Sequence, residues 1–100
     1  MSGPFQVEFI NRAAQKEYLQ LKGAQRELVD KGLARLEIRA DEIGKPLSGP
    51  LKECRELKFR ADGIRIVYRV LDGRIQIVEI VAIGSRDKEK VLRVAEIRLR

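Results

Sequence analysis

The strongest chemical pattern in the chain lies between positions 56 and 69. Glu56, Lys58, Arg60, Arg65 and Arg69 are interleaved with Leu57, Phe59, Ile66 and Tyr68. Alternation of this kind sends successive side chains to opposite faces of a strand. One sheet face would gather Glu56, Lys58, Arg60, Arg65 and Arg69, and the other would be nearly all apolar. Guanidinium and ammonium groups on one surface suit the holding of a phosphate. Such a site works by positioning and by stabilising charge. The plain alternative is a solvated outer face on which Glu56 offsets Arg69. Pattern alone leaves both readings open.

Two turn signals must position these groups. Asp62-Gly63 and Asp72-Gly73 each stand between β-rich runs, which predicts three antiparallel strands at about 54–61, 64–71 and 74–83. Two-residue turns would set Phe59 against Ile66, Leu57 against Tyr68, Arg60 against Arg65, Lys58 against Val67 and Glu56 against Arg69. Across the second turn Arg69 would face Gln76, Val67 would face Val78, and Arg65 would face Ile80. Like charges directly opposite destabilise a sheet, so Arg60 beside Arg65 is costly unless an anion joins them. This register puts Glu79 on the apolar face, and a β-bulge in the last strand would re-aim it.

The rest of the chain supplies the frame. Phe5 to Ile10 alternates and reads as a strand. Asn11 can cap a helix carrying Ala14, Tyr18 and Leu21. Gly23 ends that helix, and a second runs from about Ala24 to Ile43 with Val29, Leu33, Leu36, Ala40 and Ile43 as its stripe. Together they predict a two-helix hairpin laid on the sheet. The segment 44–50, with two Gly and two Pro, is a loop. Asp87 to Leu99 reads as a short C-terminal helix with Val91, Val94 and Ala95 on one face. The expectation is one α+β domain spanning 1–100: an N-terminal strand, two helices, a three-stranded antiparallel sheet and a last helix.

Charge and composition narrow the function. Residues 1–50 hold eight basic and seven acidic side chains, and residues 51–100 hold thirteen and eight. The excess in the second half points to an anionic partner, with nucleic acid first. The chain has no His and one Cys, which excludes a Ser-His-Asp triad, a His metal site and an internal disulfide. No cofactor or metal is expected. The lone Cys fits a reducing compartment, and no apolar run approaches ~20 residues, so a cytoplasmic protein without membrane contact is expected. Arg86, after Gly84-Ser85, is a weaker candidate, since strand ends present side chains. Tyr68 reads as a core aromatic and Cys54 as a packing residue.

The element order, the run Glu56-Leu-Lys-Phe-Arg-Ala-Asp-Gly-Ile-Arg-Ile-Val-Tyr-Arg-Val and the run Ile83-Gly-Ser-Arg-Asp-Lys-Glu-Lys-Val resemble the RelE/ParE superfamily of bacterial toxins. Gly63, Arg65 and Tyr68, the late Gly84 and Arg86, and the loop at 44–51 are similar to its RelE branch. The resemblance implies a toxin of a type II toxin–antitoxin system, a ribosome-dependent endoribonuclease whose substrate's 2′-hydroxyl attacks the adjacent phosphate. It implies Lys58 as the proton-accepting or charge-stabilising residue, with Arg65 and Arg86 on the scissile phosphate. Arg60 and Arg69 would bind substrate. The implied partners are a cognate antitoxin, the ribosome and mRNA. Two positions depart from the branch: Glu56 replaces a Lys, and Leu92 replaces a Tyr near the start of the last helix. Glu56 could serve as a general base in place of that Lys. Leu92 is expected to face the site, since Val91, Val94 and Ala95 already form the helix stripe. The alternatives are a ParE-like toxin that inhibits DNA gyrase without nuclease activity, and a basic nucleic-acid-binding module without an active site.

Overall fold

The computed structural model describes residues 3–60, 63–85 and 87–100. Strand β1 (Phe5–Phe9) leads into helices α1 (Arg12–Leu19) and α2 (Gly23–Arg39). Strand β2 (Lys45–Pro46) and a 3-10 turn (Gly49–Leu51) follow. Strands β3 (Cys54–Phe59), β4 (Ile64–Asp72) and β5 (Gln76–Ser85) precede helix α3 (Lys88–Arg98). The five strands form one mixed sheet in the order β1-β5-β4-β3-β2. The predicted antiparallel trio is its centre. β1 adds to β5 in parallel and β2 adds to β3 antiparallel. Neither addition was predicted: a parallel neighbour arrives through a long crossover, and two residues are too few to show a period.

Local chemistry explains the helix boundaries. Asn11 Oδ1 accepts the Ala14 N–H at 2.9 Å and starts α1. Asp87 does the same for α3 through Lys90 N–H at 3.1 Å. α2 stops at Arg39, short of the predicted Ile43: the Arg39 carbonyl accepts from both Glu42 and Ile43 N–H, and the two carbonyls at Ala40 and Ile43 share the single proton of the Tyr68 hydroxyl. That hydroxyl lies 2.9 Å from the Ala40 oxygen and 2.6 Å from the Ile43 oxygen. Tyr68 is fully buried, as its reading as a core aromatic requires, and burial pushes its phenol up to about 12. The first two helices are not a self-packed hairpin. α1 rests on β5 and β1, and α2 on β1 and the sheet core. Tyr18 links them, with its hydroxyl donating to Asp30 at 2.5 Å and its ring under the Arg26 guanidinium at 4.0 Å.

The sheet has a core on each face. On the α1–α2 face, Phe5, Val29, Leu36, Leu57, Ile66, Tyr68, Val78 and Ile80 pack together. On the other face, α3 covers a smaller cluster of Leu51, Cys54, Val67, Val81, Ala82, Val91 and Ala95. The face expected to be charged is therefore charged only where α3 leaves it uncovered.

The predicted register is wrong at both hairpins, and the loop lengths are the reason. Residues 60–63 link β3 to β4, so Phe59 faces Ile64, Leu57 faces Ile66 and Lys58 faces Arg65. Val67 faces Glu56, and Cys54 faces Arg69. Gly63 supplies the left-handed residue (φ +66) at the end of a four-residue link rather than inside a two-residue one. Asp62 lies outside the described residues. The second link, Gly73 to Ile75, has three residues, and Asp72 faces Gln76. That odd shift alone moves Glu79 to the charged face, opposite Arg69. The expected bulge exists, at Val81 opposite the Val67–Tyr68 step, but it comes after Glu79. Its effect is to place Val81 and Ala82 in the α3 cluster and return Ile83 to the larger core.

Past the bulge, β1 has ended and one edge of β5 has no strand beside it among the described residues. Two side chains complete it. Glu17 of α1 accepts the Ile83 N–H at 3.0 Å, and Arg98 of α3 donates to the Val81 carbonyl at 2.8 Å. The same two side chains form a two-pronged ion pair, with both contacts at 2.9 Å.

Candidate active site

On the uncovered part of the charged face, β2, β3 and β4 bring three rows together. Lys58 lies directly across from Arg65, and Lys45 lies directly across from Glu56. Directly opposed residues share a face, with Cβ atoms about 5 Å apart. An open basin of about 480 Å³ lies over them, lined by Lys45, Glu56, Lys58, Arg60, Arg65 and Lys88. Five cations surround one carboxylate. Gly84 is paired with Arg65, and a side chain there would run into Val91 of α3. Glycine at that place lets the first turn of α3, with Lys88, come down beside the basin.

The carboxylate is the least exposed charged group on this face, at 6%. Its Oε1 accepts from Arg65 Nη1 at 2.5 Å, and its Oε2 is enclosed without a hydrogen-bond partner among the described residues. A buried charge demands such compensation, so Glu56 and Arg65 hold each other in place. Lys45, Lys58, Arg60 and Lys88 form no ion pair among the described residues. The basin thus has one oriented guanidinium on its floor and uncommitted cations around it. That arrangement attracts an anion and has positive charge left to bind it.

Of the residues singled out from sequence, the structure brings Glu56, Lys58, Arg60 and Arg65 into one basin. Arg60 reaches it from the link after β3, rather than from a strand position opposite Arg65. Arg69 is elsewhere: its Nε donates to Glu79 Oε1 at 2.7 Å, and it lines a separate groove with Asp72 and Arg74. Arg86 lies outside the described residues. Leu92 does not line the basin, contrary to the reading that it faces the site. It is half-buried and packs against the cluster under α3. Cys54 is buried in that same cluster, where burial pushes its thiol up.

Sequence reasoning missed Lys45 and Lys88. Lys45 sits in a Gly/Pro loop with no period, and only its pairing with Glu56 shows where it goes. Lys88 follows the Asp87 cap of α3, and its proximity depends on the close approach at Gly84. Among the described residues no group of three or more His, Cys, Asp or Glu side chains could hold a metal ion, and no helix is long and apolar enough to cross a membrane.

Comparison with known proteins agrees with this architecture. Residues 9–90 match the family model for the ParE toxin of the type II toxin–antitoxin system parDE. A RelE-like toxin protein of Escherichia coli is 40% identical over 50 residues, and the match spans 50% of this chain and 52% of that relative. The mRNA interferase toxin RelE of Escherichia coli K12 is 33% identical over 86 residues, 85% of this chain and 86% of the relative. The free structure of an Escherichia coli RelE variant superposes with a TM-score of 0.77 at 25% identity, covering 100% of both chains. A RelE variant bound to a peptide of the antitoxin RelB, also from Escherichia coli, superposes at 0.68 and 30% identity, covering 92% of this chain and 94% of that one. The chain belongs to the ParE toxin family of type II toxin–antitoxin systems, and within the RelE/ParE superfamily it is RelE-like.

Proposed function

We propose that this toxin cuts mRNA on the ribosome, with the basin over β3 and β4 holding the reacting phosphate. The observation that carries the reading is the Lys58–Arg65 pair, set face to face beside a buried Glu56 that orients the guanidinium. The substrate's own 2′-hydroxyl is the nucleophile. Its oxygen bonds to phosphorus as the bond to the 5′-oxygen breaks, which leaves a 2′,3′-cyclic phosphate and a 5′-hydroxyl. Arg65, joined by Arg86, carries the charge that builds on the phosphate oxygens. An Arg cannot give up a proton in this range, and both oxygens of Glu56 are turned inward. Lys58, exposed and unpaired among the described residues, adds its ammonium charge beside the attacking and leaving oxygens, while one water takes the 2′ proton and another returns a proton to the leaving oxygen. Glu56 acts as a positioning residue in place of the Lys that the branch carries there.

One partner is supported by the relatives. RelE in complex with a RelB peptide supports a cognate antitoxin for this chain. The ribosome and mRNA are partners because a basin without a full acid–base set needs its substrate held in line by something else. All of this chemistry takes place in the cytoplasm. The test is to add the protein to a translating extract and map mRNA 5′ ends. New 5′-hydroxyl ends within translated codons, absent from a ribosome-free transcript, are expected. Growth arrest with intact mRNA and inhibited gyrase would replace this reading with the ParE-like one.

A further inference from the structure

The short strand β2 is held far more firmly than its two residues require. The Ile43 carbonyl is within 2.6 Å of the Tyr68 hydroxyl. Arg55 Nη1 donates to the Gly44 carbonyl at 3.2 Å, and Leu47 N–H donates to the Cys54 carbonyl at 3.0 Å. Gly44 takes φ +82, and a Cβ there would collide with the Tyr68 hydroxyl, so the close approach admits only glycine. Anchors on both sides of β2 fix one exposed side chain, Lys45, across from Glu56 and over the basin. Exposed loops are ordinarily free to move, and ordering one costs entropy. Here the cost is met by core contacts, and what the ordering presents is an uncommitted ammonium.

We propose that Lys45 is a phosphate-contacting residue of the RNA site, engaging a phosphate that flanks the reacting one. The inference rests on the RNA reading given above and adds to it a contact on the outermost strand. Strands are spaced about 4.8 Å apart, so the β2 backbone lies roughly 10 Å from the Arg65 strand across β3. Arg65 and Lys58 meet the phosphate over the sheet floor. Lys45 meets the next one along as the nucleotide strand passes over the edge of the sheet. Glu56 makes this cation useful as well as available. Its carboxylate takes one positive charge out of the basin, through Arg65, and Lys45 restores one at the rim.

The experiment measures how binding of a short single-stranded RNA depends on salt. The RNA carries 2′-O-methyl groups throughout, so it cannot be cut. Each lost phosphate contact lowers the slope of log affinity against log salt by about 0.7 for a single strand. Lys45→Gln is expected to lower the slope by about that amount, and Lys45→Arg to keep it. Lys31→Gln, on the exposed side of α2, serves as the control and is expected to change nothing. A protein altered only in its packing would lose melting temperature without this change in slope. A Lys45→Gln slope equal to that of the unaltered protein overturns the Lys45 contact and leaves the nuclease reading in place. An unaltered protein that shows no salt-dependent binding to this RNA and also leaves mRNA uncut in the translating extract overturns both.

Discussion

Strand β4 carries two Arg–Glu pairs on one face, four residues apart, and they are chemically alike but differently surrounded. Arg65–Glu56 and Arg69–Glu79 each join a guanidinium to a carboxylate on a neighbouring strand. In the first pair the side chains are 14% and 6% exposed, and among the described residues one carboxylate oxygen is left over and the cations that line the basin around it have no ion-pair partner. In the second they are 27% and 18% exposed, and the groove beside it contains Glu53 and Asp72 as well as Arg74. An ion pair alone therefore does not mark a site. What marks it is charge that the fold has positioned and left unneutralised, and only the Arg65 end has that.

Removing the guanidinium at each end should give the sharpest contrast. Arg65→Ala is expected to lower cleavage by about 100- to 1,000-fold, the cost of losing one preorganised stabilising group. It should also cost about 3 kcal/mol of stability, because Glu56 is left buried and unpaired. Relief of repulsion from Arg60 does not enter, since Arg60 is not opposite Arg65. Adding Glu56→Gln to that variant should recover most of the melting temperature and none of the activity. Equal recovery of both would show that Arg65 is purely structural. Lys58→Ala should cost about 100-fold in rate or more, with an unchanged melting curve, since the side chain is exposed. A fall in melting temperature that accounts for the lost rate would contradict the role given to it.

Three smaller effects probe the frame around the two pairs. Tyr68 anchors β4 to the loop bearing Lys45, and its phenol is raised from 10.0 to about 12. A raised acid favours the folded state while it stays protonated. That stability is present below pH 10 and is lost as pH climbs toward 12, roughly 2–3 kcal/mol in all. Alkaline denaturation followed by circular dichroism checks it, and Tyr68→Phe should flatten the dependence. Leu92→Tyr should overpack the cluster under α3 at a cost of ~1–3 kcal/mol, without a gain in rate. A faster enzyme with an unaltered melting temperature would put position 92 back in the site. Arg69→Ala should cost about 1 kcal/mol and leave cleavage within a factor of three, because its partner is partly solvated. A large loss of activity there would erase the distinction between the two ends.

Much of this was legible in the residues. Alternation through 54–59 and 64–69 placed Glu56, Lys58 and Arg65 on one face, because strand period does not depend on the partner. The partner of each residue does depend on loop length, and a one-residue error there reverses a face, as it did for Glu79. Asp-Gly signals a turn without stating how many residues flank it inside the link. The covering of Val67 and Val81 by α3 was hidden for another reason. Its contacts are long-range, and nothing near those residues in sequence announces them. Lys45 was hidden most completely, since its place is set by a tyrosine more than twenty residues away.

The paired Glu17 and Arg98 side chains have a consequence for how the protein behaves in concentrated solution. They occupy the backbone donor of Ile83 and the acceptor of Val81 where no described strand runs alongside. An open strand edge is a template for another chain. Replacing both Glu17 and Arg98 by Ala would uncover that template without removing a side chain from either core. The expected symptom is self-association at rising concentration, seen as a growing light-scattering mass with an unaltered circular dichroism spectrum.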